Sequence, residues 1–541
     1  MRSTFMGLEI SKRGMFTQQG ALHTTGNNIS NVNTPGYSRQ RINFEATSPY
    51  PSIGMSRPQL PGQMGTGVEA GSVQRIREGF LDLQYRQENN KLGYWASRAD
   101  ALQKMEEVMN EPSDAGLSKT LDRFWQSLQD LAVNPTNAGA RSVVRERGVA
   151  VAETFNYLST SLKQVQGDLK SELKVSVDEI NSIANQLNNI NKQISEIEPH
   201  GYLPNELYDE RDRLLDKLST LANIKVTSHP SGGNALKIAE GTVTVEIVDK
   251  DGQPIKDPAD PTKSIGPLVG GTSPVGTNKF EIQFSDTGTA TSTDGRLVHT
   301  ISLGGKEIKI DDFSKTGKIS SLIETNGYFN GTDEKGLYPE MLKELDTMAF
   351  EFIKQFNAVH SAGKNIIKGT NGNSELGTGG INFFSINNNG TEFFPDLNAT
   401  NSKNAASLIQ ISTDIKASSD NIAAADPSSD AVGNGDNAIK LAEVKNKSFT
   451  LDSKQTTFQN FYEGLIGGMA VNAQEAERFT DNTIILRDSV DQRRQSVSAV
   501  SLDEEMTNMI QFQHAYNASA RMITMQDELL DKIINGMGMT R

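Results

Sequence analysis

Apolar residues recur every seven positions at both ends of this chain. Near the start the row is Leu8, Met15, Leu22 and Ile29; near the end it is Leu502, Met509, Tyr516, Ile523, Leu530 and Met537. A companion row, Met506, Gln513, Ala520, Asp527 and Ile534, is broken by two polar residues. Such rows predict helices that each turn a seam toward a partner helix. The first helix is weak by composition: Gly7, Gly14, Gly20 and Gly26 each cost up to about 1 kcal/mol relative to alanine. Small residues also let a neighbouring helix come close. Thr34-Pro35-Gly36 predicts a type II turn that ends the segment.

Between the ends the period changes three times. Residues 37–85 alternate in short runs among prolines and glycines, which predicts extended chain and short β-hairpins. Helical spacing then takes over, with Phe80–Met109 and Leu117–Ala132 as separate segments. From Asn137 to Ile197 no proline occurs, and Leu173, Val177, Ile180, Ile183, Leu187, Ile190 and Ile194 recur at threes and fours. That predicts a rod-like helix of roughly 90 Å. Near Ile224 the period falls to two, as in Val243-x-Val245-x-Ile247 and Phe280-x-Ile282-x-Phe284, with Gly-containing turns between. Helical spacing returns at Leu337–His360 and again at Thr457–Arg494.

The expected fold is mainly α with an inserted β-domain, elongated and multidomain. Residues 1–36 and 497–541 form the terminal coiled-coil layer and 37–85 an extended segment. Residues 86–223 and 319–496 make a helical rod from both chain halves, with a Gly/Asn-rich loop excursion at 361–404; 224–318 is the β insertion. Because the insertion leaves and returns, both termini come to one end of the molecule.

Composition narrows the chemistry. A net charge of -14 over 541 residues argues against nucleic-acid binding, which needs a basic face. With no cysteine, thiolate metal sites, disulfides and cysteine nucleophiles are excluded. No run of about 18 apolar residues predicts a membrane span, and the first residues contain no apolar core of a secretory signal. His23, His200, His229, His299, His360 and His514 never pair at a ligand spacing and read as polar surface groups. No nucleophile elbow occurs. Asp503-Glu504-Glu505 reads as favourable negative charge at a helix start. No catalytic, cofactor or metal site is expected. The ends instead carry opposite charge, +3 over residues 1–45 and -3 over 501–541, which favours their pairing. Helices of this length do not repay their own ordering in isolation, so further copies or a partner are expected to complete them.

Specific residues add a resemblance. Ala21-Leu22-His23-Thr24-Thr25-Gly26-Asn27-Asn28-Ile29-Ser30-Asn31-Val32-Asn33-Thr34-Pro35-Gly36-Tyr37-Ser38 resembles the N-terminal signature of bacterial flagellar rod, hook and hook-associated proteins. Leu502-Asp503-Glu504-Glu505-Met506 and Gln511-Phe512-Gln513-His514-Ala515-Tyr516 look like the matching C-terminal motif. Phe80–Arg86, Phe124–Leu131 with Asn134-Pro135 and Arg141, and Gly435–Ala442 are similar to the helical domain of the hook-associated protein 1 family. The resemblance is weak over 224–318 and 361–404. It implies a non-catalytic, extracellular subunit joining flagellar hook to filament, exported through the type III channel. Implied partners are further copies of the chain in a helical assembly, the hook protein, a second junction protein on the filament side, and an export chaperone at the C-terminal helix. Leu8, Met15, Leu22, Ile29, Leu502, Met509, Tyr516, Ile523 and Leu530 are the expected assembly residues. The alternative is a flagellar scaffold displaying an adhesin or enzymatic insert, whose activity would lie in 224–318 or 361–404.

Overall fold

A computed structural model describes residues 5–51, 62–111, 113–114, 116–249, 251–258, 260–272, 276–285, 295–310, 313, 315, 317–330, 333–368, 373–388, 390–395, 402–451 and 454–536. Helix α1 (Met6–Ser30) leads through a turn to the hairpin β1 (Gln40–Ala46) and β2 (Val68–Arg75). The turn is the expected one: Tyr37 N–H donates to Thr34 O, and Gly36 at its third position has φ +83°. Helices α2 (Gly79–Met109), α3 (Leu117–Val133), α4 (Ala138–Ile197) and α5 (Asn205–Leu221) follow.

The inserted β-region holds β3 (Ile224–His229), β4 (Thr242–Ile247), β5 (Lys256–Asp257), β6 (Asp260–Ser264), β7 (Phe280–Ser285), β8 (Leu297–Leu303) and β9 (Lys306–Ile308). Helix α6 (Lys318–Asn326) and strands β10 (Tyr328–Asn330) and β11 (Asp333–Lys335) return the chain to the rod. Among the described residues β3 pairs with β4 alone, while β7, β8, β10 and β11 run side by side with β9 on β8. Helix α7 (Leu337–Ala362) precedes β12 (Ile366–Lys368), β13 (Ser374–Leu376), β14 (Phe384–Asn388) and β15 (Thr391–Phe393). The short helices α8 (Ala405–Leu408), α9 (Thr413–Ala417) and α10 (Asp436–Ala442) interleave with β16 (Ile409–Ile411). The hairpin β17 (Phe449–Leu451) and β18 (Lys454–Thr456) then gives way to α11 (Phe458–Ser498) and α12 (Leu502–Gly536).

The rod is held by both halves of the chain. α11 lies along α2, α10 on α3, and α7 and α8 on α4. The contact face of α11 repeats every seven residues as Tyr462, Met469, Ala476, Thr483 and Val490, all buried, and Phe479 stacks on Trp95 of α2 at 4.5 Å. An aromatic core joins α3, α7 and β14: Phe124 lies 5.3 Å from Phe356, and Phe352 lies 5.0 Å from Phe384. Phe383 and Phe384 are fully buried there. Gly148 of α4 makes room for them, since a Cβ at that position would stand 2.6 Å from the Phe383 ring.

One histidine departs from the surface reading. His360 is wholly buried between Phe356 and Phe383. Its Nδ1 is 2.8 Å from Ile381 O, and its Nε2 accepts from Ala423 N–H at 3.0 Å. Burial holds its pKa down to about 4, so the ring is neutral. Sequence spacing carries no sign of this, because both partners are backbone groups far along the chain.

Candidate assembly interface

The two termini do meet. α1 and α12 run antiparallel, and their closest positions step in sevens. A Cβ on Gly7 would touch Gln526 at 3.0 Å and one on Gly14 would touch Ser519 at 3.2 Å. Further along, Asn28 donates to Glu505 Oε2 at 3.1 Å. Glycine thus lies where the helices pinch together, the second of the two readings open for it. On either side of this line Leu8, Met15, Leu22 and Ile29 are half-buried, as are Met509, Tyr516, Ile523 and Leu530. Leu502 is 45% exposed, and Met537 lies outside the described residues.

Several apolar residues of α12 remain in the open within one subunit, spaced along the helix among exposed polar ones. Met506 is 57% exposed and Ile534 70%, and Ile510, Met525 and Leu529 are also in the open. Phe5 and Phe16 are exposed on the α1 side. Exposed apolar residues repeated along one helix are what burial by neighbouring chains would stabilise.

The acidic start of α12 does more than complement a helix dipole. Glu505 is buried and accepts from Arg39 Nε at 2.7 Å, while Glu504 accepts from Arg39 Nη1 at 2.5 Å. Asn28 also grips β1, donating to Gln40 O at 2.8 Å and accepting from Gln40 N–H at 3.0 Å. Arg39 N–H donates to Ser498 O at 2.9 Å. These contacts tie the signature segment after α1 to the α11–α12 corner.

Beneath that corner lies a buried ionic cluster. Asp209, Asp212 and Asp216 occupy one face of α5. Arg75 binds Asp209 at 2.6 Å and Asp212 at 3.0 Å. Arg77 binds Asp82 at 2.7 Å and Asp212 at 3.4 Å. Arg86 binds Asp212 at 3.1 Å and Asp216 at 2.8 Å, and Arg494 of α11 reaches Asp216 at 2.6 Å. Burial alone would raise the Asp212 pKa, but Arg77, Arg211, Arg75 and Arg86 outweigh it and hold the carboxyl well below the usual range. Asp209 is raised by burial despite Arg75. Buried pairs of this kind add little net stability but make one arrangement unique when every member is partnered. The cluster ties the end of the β1–β2 hairpin to α2, α5 and α11.

Sequence reasoning missed the cluster, although acids at i, i+3 and i+7 on α5 and the Arg75-x-Arg77 pair are visible signals. It also missed a recurring asparagine device. Asn181 donates to Phe280 O at 2.8 Å and accepts from Phe280 N–H at 2.9 Å. Asn191 does the same to Val243, at 2.7 and 3.0 Å. Asn357 donates to Phe384 O at 2.7 Å and accepts from Phe384 N–H at 3.0 Å. Each amide supplies the donor and acceptor that a neighbouring strand would offer. Among the described residues no group of three or more His, Cys, Asp and Glu side chains could hold a metal, and no helix is long and apolar enough to cross a membrane.

Comparison with known proteins follows this geometry closely. Residues 102–376 match the family described as the flagellar hook-associated protein FlgK helical domain. Residues 8–37 match the flagella basal body rod protein family, and 491–536 match the C-terminal family of the flagellar basal body rod FlgEFG proteins. The chain is 47% identical over 540 residues to flagellar hook-associated protein 1 of Bacillus subtilis, covering 99% of both. It is 24% identical to the Salmonella typhimurium protein of the same name, covering 96% of this chain and 98% of that one. The solved structure of the flagellar hook junction protein FlgK from Burkholderia pseudomallei superposes with a TM-score of 0.54 at 15% identity, over 76% of this chain and all of that one, which is a likeness of fold.

Proposed function

The chain belongs to the flagellar hook-associated protein 1 family, and from that premise we propose how this structural subunit of the hook–filament junction builds its layer of the bacterial flagellum. The α1–α12 pair is the joining element. Within one subunit the two helices cover each other along one face only. The exposure of Met506, Ile510, Met525 and Leu529 along α12 within one subunit is the observation that carries the reading. Apolar area of that extent is stable when neighbours bury it.

Leu8, Met15, Leu22, Ile29, Met509, Tyr516, Ile523 and Leu530 set the spacing of the pair, and Leu502 stands ready at its corner. Further copies of this chain pack against the open face in a heterologous, ring-like helical layer. The hook protein and a second junction protein on the filament side abut the same terminal layer. Before assembly, an export chaperone covers the exposed apolar residues of α12. The role is architectural and non-catalytic.

Truncation before Leu502 tests this. The expected product is soluble, keeps the α2–α11 body folded, and fails to attach filaments to hooks. Cells that carry it and still make normal filaments would overturn the proposal.

A further inference from the structure

Sulfur in this chain is all thioether: the sequence holds 16 methionines and no cysteine. The methionines divide by their place in the fold. Met105, Met109, Met341, Met348 and Met469 sit in the rod core, none more than 6% exposed. Met6, Met15, Met64 and Met509 are half-buried. Met506, Met522 and Met525 are 57%, 43% and 51% exposed, and all three belong to α12. Among the described residues every exposed methionine is thus on the helix that joins subunits. These three also stand off the line that α12 turns to α1, which runs through Glu505, Ser519 and Gln526. A change at their sulfurs leaves the pairing of the two helices, and the rod, in place.

A thioether sulfur gives a lone pair to a two-electron oxidant such as hydrogen peroxide. The O–O bond breaks and one oxygen forms S=O, oxidising the sulfur by two electrons. The proton of that oxygen passes to the departing hydroxide, which leaves as water. A polar, chiral group then stands where a flexible apolar one stood. Its oxygen is an acceptor that an apolar neighbour cannot satisfy, so burying it is unfavourable. We propose that Met506, Met522 and Met525 form an oxidation site for peroxide-class oxidants, at which sulfoxide formation keeps the free subunit from seating and which burial in the layer then closes. The inference rests on the reading of the chain as a self-assembling junction subunit.

The purified full chain is treated with dilute hydrogen peroxide and mapped by peptide mass spectrometry. It is then mixed with hooks isolated from cells that lack this chain, and the bound fraction is read by sedimentation. Met506, Met522 and Met525 should each gain one oxygen about tenfold faster than Met105, Met109 and Met348, with the thermal midpoint of the rod unchanged. Binding to hooks should fall about tenfold. It should return when the two epimer-specific sulfoxide reductases act with dithiothreitol, whose thiols close to a disulfide as the oxygen leaves as water. A chain with Met506→Leu, Met522→Leu and Met525→Leu should bind equally before and after peroxide. In isolated flagella the same treatment should leave the three sulfurs unmodified. The reductase arm needs no substitution and decides the matter where the leucines themselves disturb seating. Unimpaired binding of the oxidised parent, equal loss of binding in the leucine variant, or modification in flagella at the free-chain rate overturns the oxidation site. An untreated parent that fails to bind hooks would instead sink the junction reading itself.

Discussion

His360 and Arg141 are single side chains that hold distant backbone in place. Arg141 of α4 is 1% exposed. Its guanidinium donates to Pro135 O at 2.6 Å, Ile422 O at 2.7 Å and Asp420 O at 3.2 Å. Replacing it with alanine leaves those carbonyls unpaired, and a loss of about 3–5 kcal/mol in unfolding free energy by urea titration is expected. His360 makes a pH-dependent contribution. Its folded pKa, about 4, lies below the ordinary value near 6.5, so the unfolded chain binds more protons between those limits. Its contribution is complete above pH 6.5 and falls as the pH drops toward 4. The loss amounts to about 3 kcal/mol at the acid end. Urea midpoints measured from pH 7 to pH 4.5 should decline in the parent and flatten in His360→Gln. Neither role was legible in the sequence, because each depends on carbonyl and amide groups that any residue type could present.

At the scale of elements, two glycines make opposite predictions for the same substitution. Gly26 of α1 faces open space, so Gly26→Ala should stabilise the helix by up to about 1 kcal/mol through backbone entropy alone. Gly93 of α2 lies where α2 crosses α5, and a Cβ there would stand 2.1 Å from Thr220 O. Gly93→Ala must push the helices apart and disturb the ionic cluster beside them, lowering the thermal midpoint. Melting curves of the two variants check both signs. The sequence makes the helices themselves readable, since α4 shows its buried stripe at threes and fours over its whole length. The α11 heptad was equally present but harder to see. Ala476 and Thr483 occupy seam positions that larger apolar residues would have announced.

In the whole molecule, the β-region shares an apolar core with α4 and is also clasped to it where Asn191 grips β4 and Asn181 grips β7. Removing both amides as Asn181→Ala with Asn191→Ala strands two donors and two acceptors, each lost bond costing about 1–3 kcal/mol where it is buried. The expected outcome is faster protease cleavage within 224–318 while the helical rod melts as before; unchanged cleavage would contradict the clasp role. Helical asparagines read as ordinary surface groups in a sequence, so this attachment could not be inferred from it, whereas the period change at Ile224 located the insertion itself. The clasp also explains something about permissible change. An amide that bonds only N–H and C=O does not care which side chain its partner carries. The clasp by itself therefore makes no demand on the identity of the strand residues it holds, and that demand falls to the apolar core that Val243 and Phe280 also join.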